Sequence, residues 1–520
     1  MSASAASPAT DDTGQQFING RRRRGSSSDP LTVTNPSNGD VIATDTLAST
    51  DDVEDAVAAA KAAFPGWAGA TPAERSAAMH RLAGELDAVS DELATAESRQ
   101  AGKPIRLTRG FDVPGTVDNV SFFAGAARHL EGKASAEYSG EHTSTIRREP
   151  IGVIGSIAPW NYPLQMAAWK ILPAIAAGNT IVLKPAELTP TTSVAFAEAA
   201  QRAGIPDGVV NILTGRGRVV GEALVTHRDV SMISFTGSTG AGSRVGSLAA
   251  GLVKRVHLEL GGKAPFVVFD DADLEAAARG AVAGSLINAG QDCTAATRAY
   301  VQRPLYDAFV SRVAELMSQV VVGPVDDPAT DLGSLISLNH RDNVAGMVDR
   351  ARQAGAKVVT GGRPGTGALE AGAYYEPTLV VDAAQDSEIV QDEVFGPVLV
   401  ALPFDGDDEG LTFANDTPYG LAASAWTSDV FRAQRAAAAI AAGCVWINDH
   451  IPIISEMPHG GYKASGFGKD LSTYSFDEYT QVKHIMSALS PQPRKDWHDV
   501  IFTSPSGGDG DHHSTRIMTA

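Results

Sequence analysis

From residue 151 to 263 the chain alternates short, almost wholly apolar runs with longer segments whose apolar residues recur at helical spacing. IGVIGSIAP, NTIVLKP, VVNILTG and VSMISFTG read as strands. NYPLQMAAWKILPAIAAG, TPTTSVAFAEAAQRAG and GRVVGEALVTH read as the helices between them. Strands with no polar face are buried on both sides, so the pattern predicts an α/β fold with a parallel sheet covered by helices. The rhythm returns from 264 to 446 in APFVVF, RAYVQR, AKVVTGG, YYEPTLVV, DEVFGPVLVALPF and CVWIND, with helices at 304–321 and over VFRAQRAAAAIAAG. That is a second α/β domain.

The first 150 residues differ. QFING, LTVTNP and VIATDTLA read as short strands, and the arginines at 21–24 as a solvated hairpin turn rather than a nucleic-acid or localisation tag. A long helix opens after Ser49 with acidic residues in its first turn, where they suit the helix dipole. A helix pair follows, ending at Gly102 and Pro104, and a further helix covers 111–131. Residues 136–150 are alternating and polar, which suits a strand that leaves the body and pairs elsewhere, with 478–487 as a partner or with another subunit. The expected organisation is a first domain from 16–135 and 151–263, a second from 264–447, a glycine-rich crossing segment over 448–477, and pairing strands at 136–150 and 478–490. Residues 1–15 and 491–520 read as flexible, so His512 and His513 are taken as tail residues rather than metal ligands.

The chain has 520 residues and a formal net charge of −19, which argues against nucleic acid or an anionic membrane as its partner. Two cysteines, Cys293 and Cys444, cannot build a disulfide framework, and the latter reads as structural within its apolar strand. No apolar run is long enough to cross a membrane, and the N-terminus has no apolar core of a signal peptide, so the expected location is the cytoplasm.

Chemistry concentrates at strand ends. Pro159, Trp160 and Asn161, then Lys184 and Glu187, then Gly237 to Gly240 follow successive strands of the first sheet, where ligands of open parallel sheets bind. Glu259 in LELGGK and Cys293 in GQDCTA flank a strand and a helix that can bring them face to face. A thiol, a carboxylate and glycines that admit a ligand to the backbone are the parts of covalent acyl chemistry.

PWNYP, KPAE, FTGSTGAG, LELGGK, GQDCTA, EVFGP and PHGGYKASGFGKD occur in order between residues 159 and 470, and together they resemble the aldehyde dehydrogenase superfamily, a resemblance that runs over about residues 16–487. NAGQDCTAATR, SEMPHGGYKASGFGKD and FFAGAAR look most like γ-aminobutyraldehyde dehydrogenases, near the betaine aldehyde dehydrogenases. The resemblance implies a Rossmann-type NAD-binding domain, a catalytic domain and a small oligomerisation β-element in a homodimer or homotetramer. It implies Cys293 as nucleophile, Glu259 as general base and Asn161 with the Cys293 N–H as oxyanion hole. It assigns NAD contacts to Ala158, Pro159, Trp160, Lys184, Ala186, Glu187, Gly217, Phe235, Thr236, Gly237, Ser238, Thr239, Leu260, Gly261, Glu393 and Phe395. Glu187 stands where a 2′-phosphate would sit, which favours NAD over NADP. No metal is implied. Asp470 replaces the family's frequent glutamate, which places a relay with Lys184 in doubt.

The implied substrate is a small-molecule aldehyde, within the closer resemblance an ω-aminoaldehyde such as 4-aminobutanal. Its ammonium needs a carboxylate or an aromatic face. Tyr162, Asp118, Asp292 and Trp446, together with Asp112, are the candidates. Betaine aldehyde and plain aliphatic aldehydes are the neighbouring readings. A catalytically silent structural protein has no need for Cys293, Glu259 and Asn161 together, and a coenzyme A-acylating enzyme often lacks the base.

Overall fold

The computed structural model describes residues 14–132, 135–491 and 495–502, so the earlier N-terminal residues and the pair His512 and His513 lie outside the described chain. The protein belongs to the α/β class foreseen from its pattern. Its larger unit, the chain up to Leu130 with Glu149–Gln481, is built on two mostly parallel sheets.

The first sheet has the order Gly466–Phe467, Arg255–Glu259, Val230–Thr236, Val153–Ile157, Thr180–Lys184, Val210–Ile212, Gln16–Ile18, Arg21–Arg23. From Val153–Ile157 the chain steps outward in one direction, then returns to add Val230–Thr236 and Arg255–Glu259 on the other side, all parallel. The order reverses between Val153–Ile157 and Val230–Thr236, and such a switch point opens a crevice at the strands' carboxyl ends. The second sheet runs Lys357–Thr360, Thr378–Val381, Val398–Phe404, Ala296–Gln302, Ala264–Val268, Ala422–Trp426, Cys444–Ile447, antiparallel only at its first strand. Glu259 therefore ends a strand of the first sheet, whereas Cys293 and Glu393 lie on loops that lead into strands of the second.

Local signals explain the helices that frame the crevice. Ser49 caps Thr50–Gly69 in a reciprocal box with Asp52. That helix runs through Pro65 to Trp67, which is buried and whose indole N–H donates to the Ile175 carbonyl at 2.9 Å. Pro163–Ala176 is buried on every side, with proline at its first position as helix starts allow.

The structure differs from three local readings. The arginine run is not the hairpin turn. Asn19 and Gly20, both at positive φ, make the turn, and Arg21–Arg23 form the returning strand. Arg23 is held there by Asp52 and Asp55 at 2.7 and 2.9 Å. The polar stretch at 136–150 is a hairpin, Ala136–Ser139 against His142–Pro150, rather than one strand. With Thr480–Ala488 it forms a three-stranded sheet in the smaller unit, Glu131–Arg148 and the described residues from Val482 on. A short helical turn, Asp496–Val500, occupies part of the segment expected to be flexible.

Candidate active site

Two glycines after Glu259 bring the site together. A Cβ on Gly261 would lie 2.5 Å from Glu393 Oε2, and one on Gly262 would lie 2.1 Å from the Cys293 carbonyl oxygen. Only a residue without a side chain lets both loops reach the strand end. The Gly262 N–H donates to Glu393 Oε1 at 2.8 Å. Gly290 sits at positive φ, and a Cβ there would meet the Gly396 carbonyl oxygen at 2.1 Å, so the thiol loop and the EVFGP loop pack backbone on backbone.

The thiol loop turns through Asn288, Ala289 and Gly290, all left-handed. Such strain persists only where its surroundings over-determine it. Asn288 Nδ2 donates to the Asn161 and Gln291 carbonyls at 2.7 and 3.0 Å, and Gln291 Oε1 accepts the Ile336 N–H at 2.9 Å. Asn161 Nδ2 donates to the Gln291 carbonyl at 3.1 Å. An amide nitrogen carries two hydrogens, so the second remains for a ligand beside Cys293.

A cavity of about 240 Å³ opens between the two sheets' loops. Cys293, Glu259, Asn161, Tyr162 and Asp292 line it, with Trp160, Thr236, Ser238, Glu393 and Phe395 on the same wall system. The donor atoms of Cys293, Glu259 and His459 lie within 4.8 Å of one another. Burial, followed by the Glu259 and Asp292 charges, pushes the Cys293 thiol well above its ordinary pKa. A thiol raised in this way favours its protonated form, so a base beside it assists the nucleophile.

The residues expected at the cofactor are arranged around the switch point. Lys184 Nζ is 3.5 Å from Glu187 Oε1, which also accepts the Gly217 N–H at 3.1 Å, and the Ala158 N–H donates to the Lys184 carbonyl. Ala186 is buried. Ser238 caps the helix Thr239–Ala250, accepting the Ala241 N–H, and Thr239 Oγ1 donates to the Ala464 carbonyl. A Cβ on Gly237 would meet the Phe235 ring at 2.7 Å, and one on Gly242 would meet Leu260 at 2.3 Å. Buried Thr236 Oγ1, which lines the cavity, has no hydrogen-bond partner among the described residues. A capped helix start with bare glycines suits a pyrophosphate. The cavity continues from Ser238 past Pro159 and Trp160 to Glu393, Phe395 and the thiol, so the donor set fits a dinucleotide. Burial holds the Glu393 carboxyl up at about 7.

Of the substrate candidates, the structure brings in Tyr162 and Asp292. The Tyr162 hydroxyl donates to Asp292 Oδ2 at 2.7 Å, while Asp292 Oδ1 caps the Thr294 N–H. It leaves out Asp118, which accepts from Ser455 on a different surface cleft. Trp446 is also outside the cavity lining; its indole N–H donates to the Pro452 carbonyl and its ring lies on His450. Asp112 is spent on Lys103, 2.6 Å away, with both side chains fully buried. Lys103 in turn stands 3.5 Å over the Tyr162 ring.

Several lining residues were not foreseen. Gln165, Met166 and Trp169 share one face of the helix after Asn161, a face readable from its helical spacing. His459 was hidden in the glycine-rich run PHGGYK. The doubtful relay also finds a different partner: Asp470 pairs with Lys170 at 2.7 Å, and Lys184 faces Glu187.

Comparison with known proteins agrees with this geometry. The profile of the aldehyde dehydrogenase family matches residues 23–485. A Burkholderia cenocepacia structure solved as a candidate aldehyde dehydrogenase is 41% identical, with a TM-score of 0.90, covering 93% of this chain and 99% of that one. Betaine aldehyde dehydrogenase from Staphylococcus aureus, solved with NAD+, is 35% identical with a TM-score of 0.90, covering 92% and 95%. An aldehyde dehydrogenase from Bacillus cereus, also with NAD+, is 38% identical with a TM-score of 0.89, covering 91% and 96%. The chain belongs to the aldehyde dehydrogenase family.

Proposed function

We propose that this enzyme oxidises an ω-aminoaldehyde such as 4-aminobutanal to the amino acid, with NAD as cofactor. General NAD-dependent aldehyde oxidation is the family's activity, and the finer reading rests on the cavity's charge. Beyond Glu259 and Glu393, which the chemistry and the ribose use, its lining includes the carboxylate Asp292 and the aromatic side chains of Trp169 and Phe111, and among the described lining residues there is no lysine or arginine. A cationic substrate end is favoured by such a wall.

Glu259 takes the proton of Cys293, and the freed thiolate bonds to the aldehyde carbon. The second Asn161 amide N–H and the Cys293 backbone N–H hold the resulting oxyanion. When bound, NAD supplies the hydride acceptor that no side chain provides. The acyl group remains on Cys293 as a thioester. Glu259 releases the thiol's proton to solvent, then accepts a proton from the water that attacks the thioester and passes it to the departing Cys293 sulfur, so the carboxylate leaves and the thiol is restored. Lys184 and Glu187 hold the adenosine ribose, the Ser238 helix start the pyrophosphate, and Glu393 the nicotinamide ribose. The carboxylate of Glu259 lies within 4.8 Å of the thiol, a base for water, which supports hydrolysis over transfer to coenzyme A.

We also propose a cytoplasmic homodimer or homotetramer. Among the described residues no helix is long and apolar enough to cross a membrane. In the smaller unit Tyr138, Val482, Met486 and Leu489 stand exposed on or beside a three-stranded sheet, as surfaces that become covered do.

The substrate test compares 4-aminobutanal, betaine aldehyde and butanal at pH 8, correcting for cyclised 4-aminobutanal. A partly desolvated ammonium contact contributes ~1–2 kcal/mol, so 4-aminobutanal should exceed butanal about tenfold in kcat/KM. Equal values would leave a general aldehyde dehydrogenase, and a preference for betaine aldehyde would move the reading to quaternary ammonium substrates.

A further inference from the structure

We propose that Cys293, Glu259 and His459 form a three-ligand site for a borderline divalent metal ion such as Zn2+, and that filling it switches the enzyme off. The Cys293 sulfur, a Glu259 carboxylate oxygen and a His459 ring nitrogen lie within 4.8 Å of one another. Zinc bonds of about 2.0–2.3 Å, arranged tetrahedrally, place donor atoms ~3.3–3.8 Å apart. His459 Nε2 and Glu259 Oε1 are already 3.7 Å apart, so the wider contacts need only small side-chain rotations.

That same 3.7 Å is too long for a hydrogen bond, and neither atom has another partner among the described residues although both are buried. His459 is 5% exposed and Glu259 1%. Two buried polar atoms that face each other without bonding are costly unless something else joins them. An ion between them would satisfy both.

The histidine is held in place. Its backbone N–H and carbonyl pair with Asp470 at 2.9 and 2.8 Å, and Asp470 is anchored by Lys170. Its ring lies against Trp169, whose indole N–H donates to Asn119 at 2.8 Å. Thiolate, imidazole and carboxylate together select Zn2+ or Co2+ over Mg2+ and Ca2+, which prefer all-oxygen shells. Three protein ligands leave a fourth position open to cavity water. Binding forms the metal–sulfur bond and releases the thiol proton to solvent, with no change of oxidation state. Metal binding needs only this geometry. The loss of turnover rests also on Cys293 and Glu259 acting as proposed above.

The test uses the full chain stripped of metal and titrated with Co2+, with Zn2+ affinity read by competition with a chromophoric chelator. The expected result is a thiolate-to-cobalt charge-transfer band, strong visible bands of a four-coordinate ion, and loss of both on adding Zn2+. His459→Phe and Glu259→Gln should each weaken Zn2+ at least tenfold, and His459→Cys should restore binding. Circular dichroism melts confirm that each variant is folded. Absence of the charge-transfer band, or unchanged Zn2+ affinity in both folded single variants, overturns the site. Tight three-ligand binding without loss of aldehyde oxidation would leave the metal site standing and overturn the switch, and with it the roles given to Cys293 and Glu259.

Discussion

Lys170 Nζ and Asp470 Oδ2 meet at 2.7 Å with both side chains fully buried. One comes from the helix that follows the oxyanion asparagine, the other from the segment that carries His459. Removing one partner of a buried pair strands a charge and costs about 3–5 kcal/mol, whereas replacing both with apolar residues costs far less. Lys170→Met alone should therefore unfold at clearly lower denaturant than wild type, and Lys170→Met with Asp470→Leu should recover most of the loss. Additive losses in the double variant would show that the two residues are not coupled.

The roles of Cys293 and Glu259 separate kinetically. Cys293→Ala should abolish aldehyde oxidation while NAD still binds, because the thiol holds no part of the dinucleotide. Glu259→Gln should slow both thiol activation and deacylation. The thiol can pass its proton to cavity water before the aldehyde arrives, whereas the hydrolytic water must lose its proton as it attacks, so deacylation should slow more and rapid-mixing absorbance should show a burst of NADH followed by slow turnover. Steady turnover by Cys293→Ala would remove the covalent mechanism.

How far the chain could be read in advance follows from the range of each interaction. Continuous apolar strands announced both sheets, and the strand and helix between Glu259 and Cys293 announced the approach of that pair, because these signals are local; that Gly261 makes room for Glu393 is visible only in the structure. Asp118 and Trp446 lie near active-site motifs in sequence but face a different cleft and the Pro452 carbonyl. Adjacency along the chain does not say which way a side chain points. Lys170 with Asp470 and His459 with Glu259 are contacts across hundreds of residues, and nothing in the local pattern pairs them.

Acid should destabilise the enzyme through two buried histidines. Burial holds His257 and His450 down at about 4, against about 6.5 in an unfolded chain. Between those values the unfolded state binds more protons, so this contribution is complete above pH 6.5 and is lost as pH falls toward 4. At pH 5 the loss amounts to about 2 kcal/mol per histidine. Glu97 and Glu393, both raised to about 7, act in the opposite sense, losing stability as pH rises from their ordinary range to 7. The informative quantity is therefore the change in stability between pH 7 and pH 5 in a variant relative to wild type. His450 Nε2–H donates to the Thr294 carbonyl and Nδ1 accepts from Ser424, contacts a glutamine can partly replace. His450→Gln should lose less stability on acidification than wild type, and an equal loss would remove His450 as a source.

His340 should govern how well the EVFGP loop receives the cofactor. Phe395 sits at φ 54, a left-handed conformation that costs a non-glycine residue about 1–3 kcal/mol. His340 Nε2–H donates to the Phe395 carbonyl at 2.7 Å, and its ring packs edge-on against Trp160 at 5.4 Å between centroids. Trp160 touches the Phe395 ring in the same way at 5.3 Å. Burial lowers the His340 pKa, so at neutral pH the ring is uncharged, with its one proton on the nitrogen that faces the carbonyl. The hydrogen bond thus holds the strained residue, and with it Glu393 two positions earlier. A net hydrogen bond contributes about 1 kcal/mol, and the lost ring packing adds to it. His340→Ala should raise KM for NAD about tenfold while changing KM for aldehyde much less, and His340→Gln, which keeps a donor, should recover part of the difference. Titration of NAD by quenching of protein fluorescence checks the binding directly. An alanine variant that binds NAD as wild type does would show that the loop keeps its conformation without the histidine.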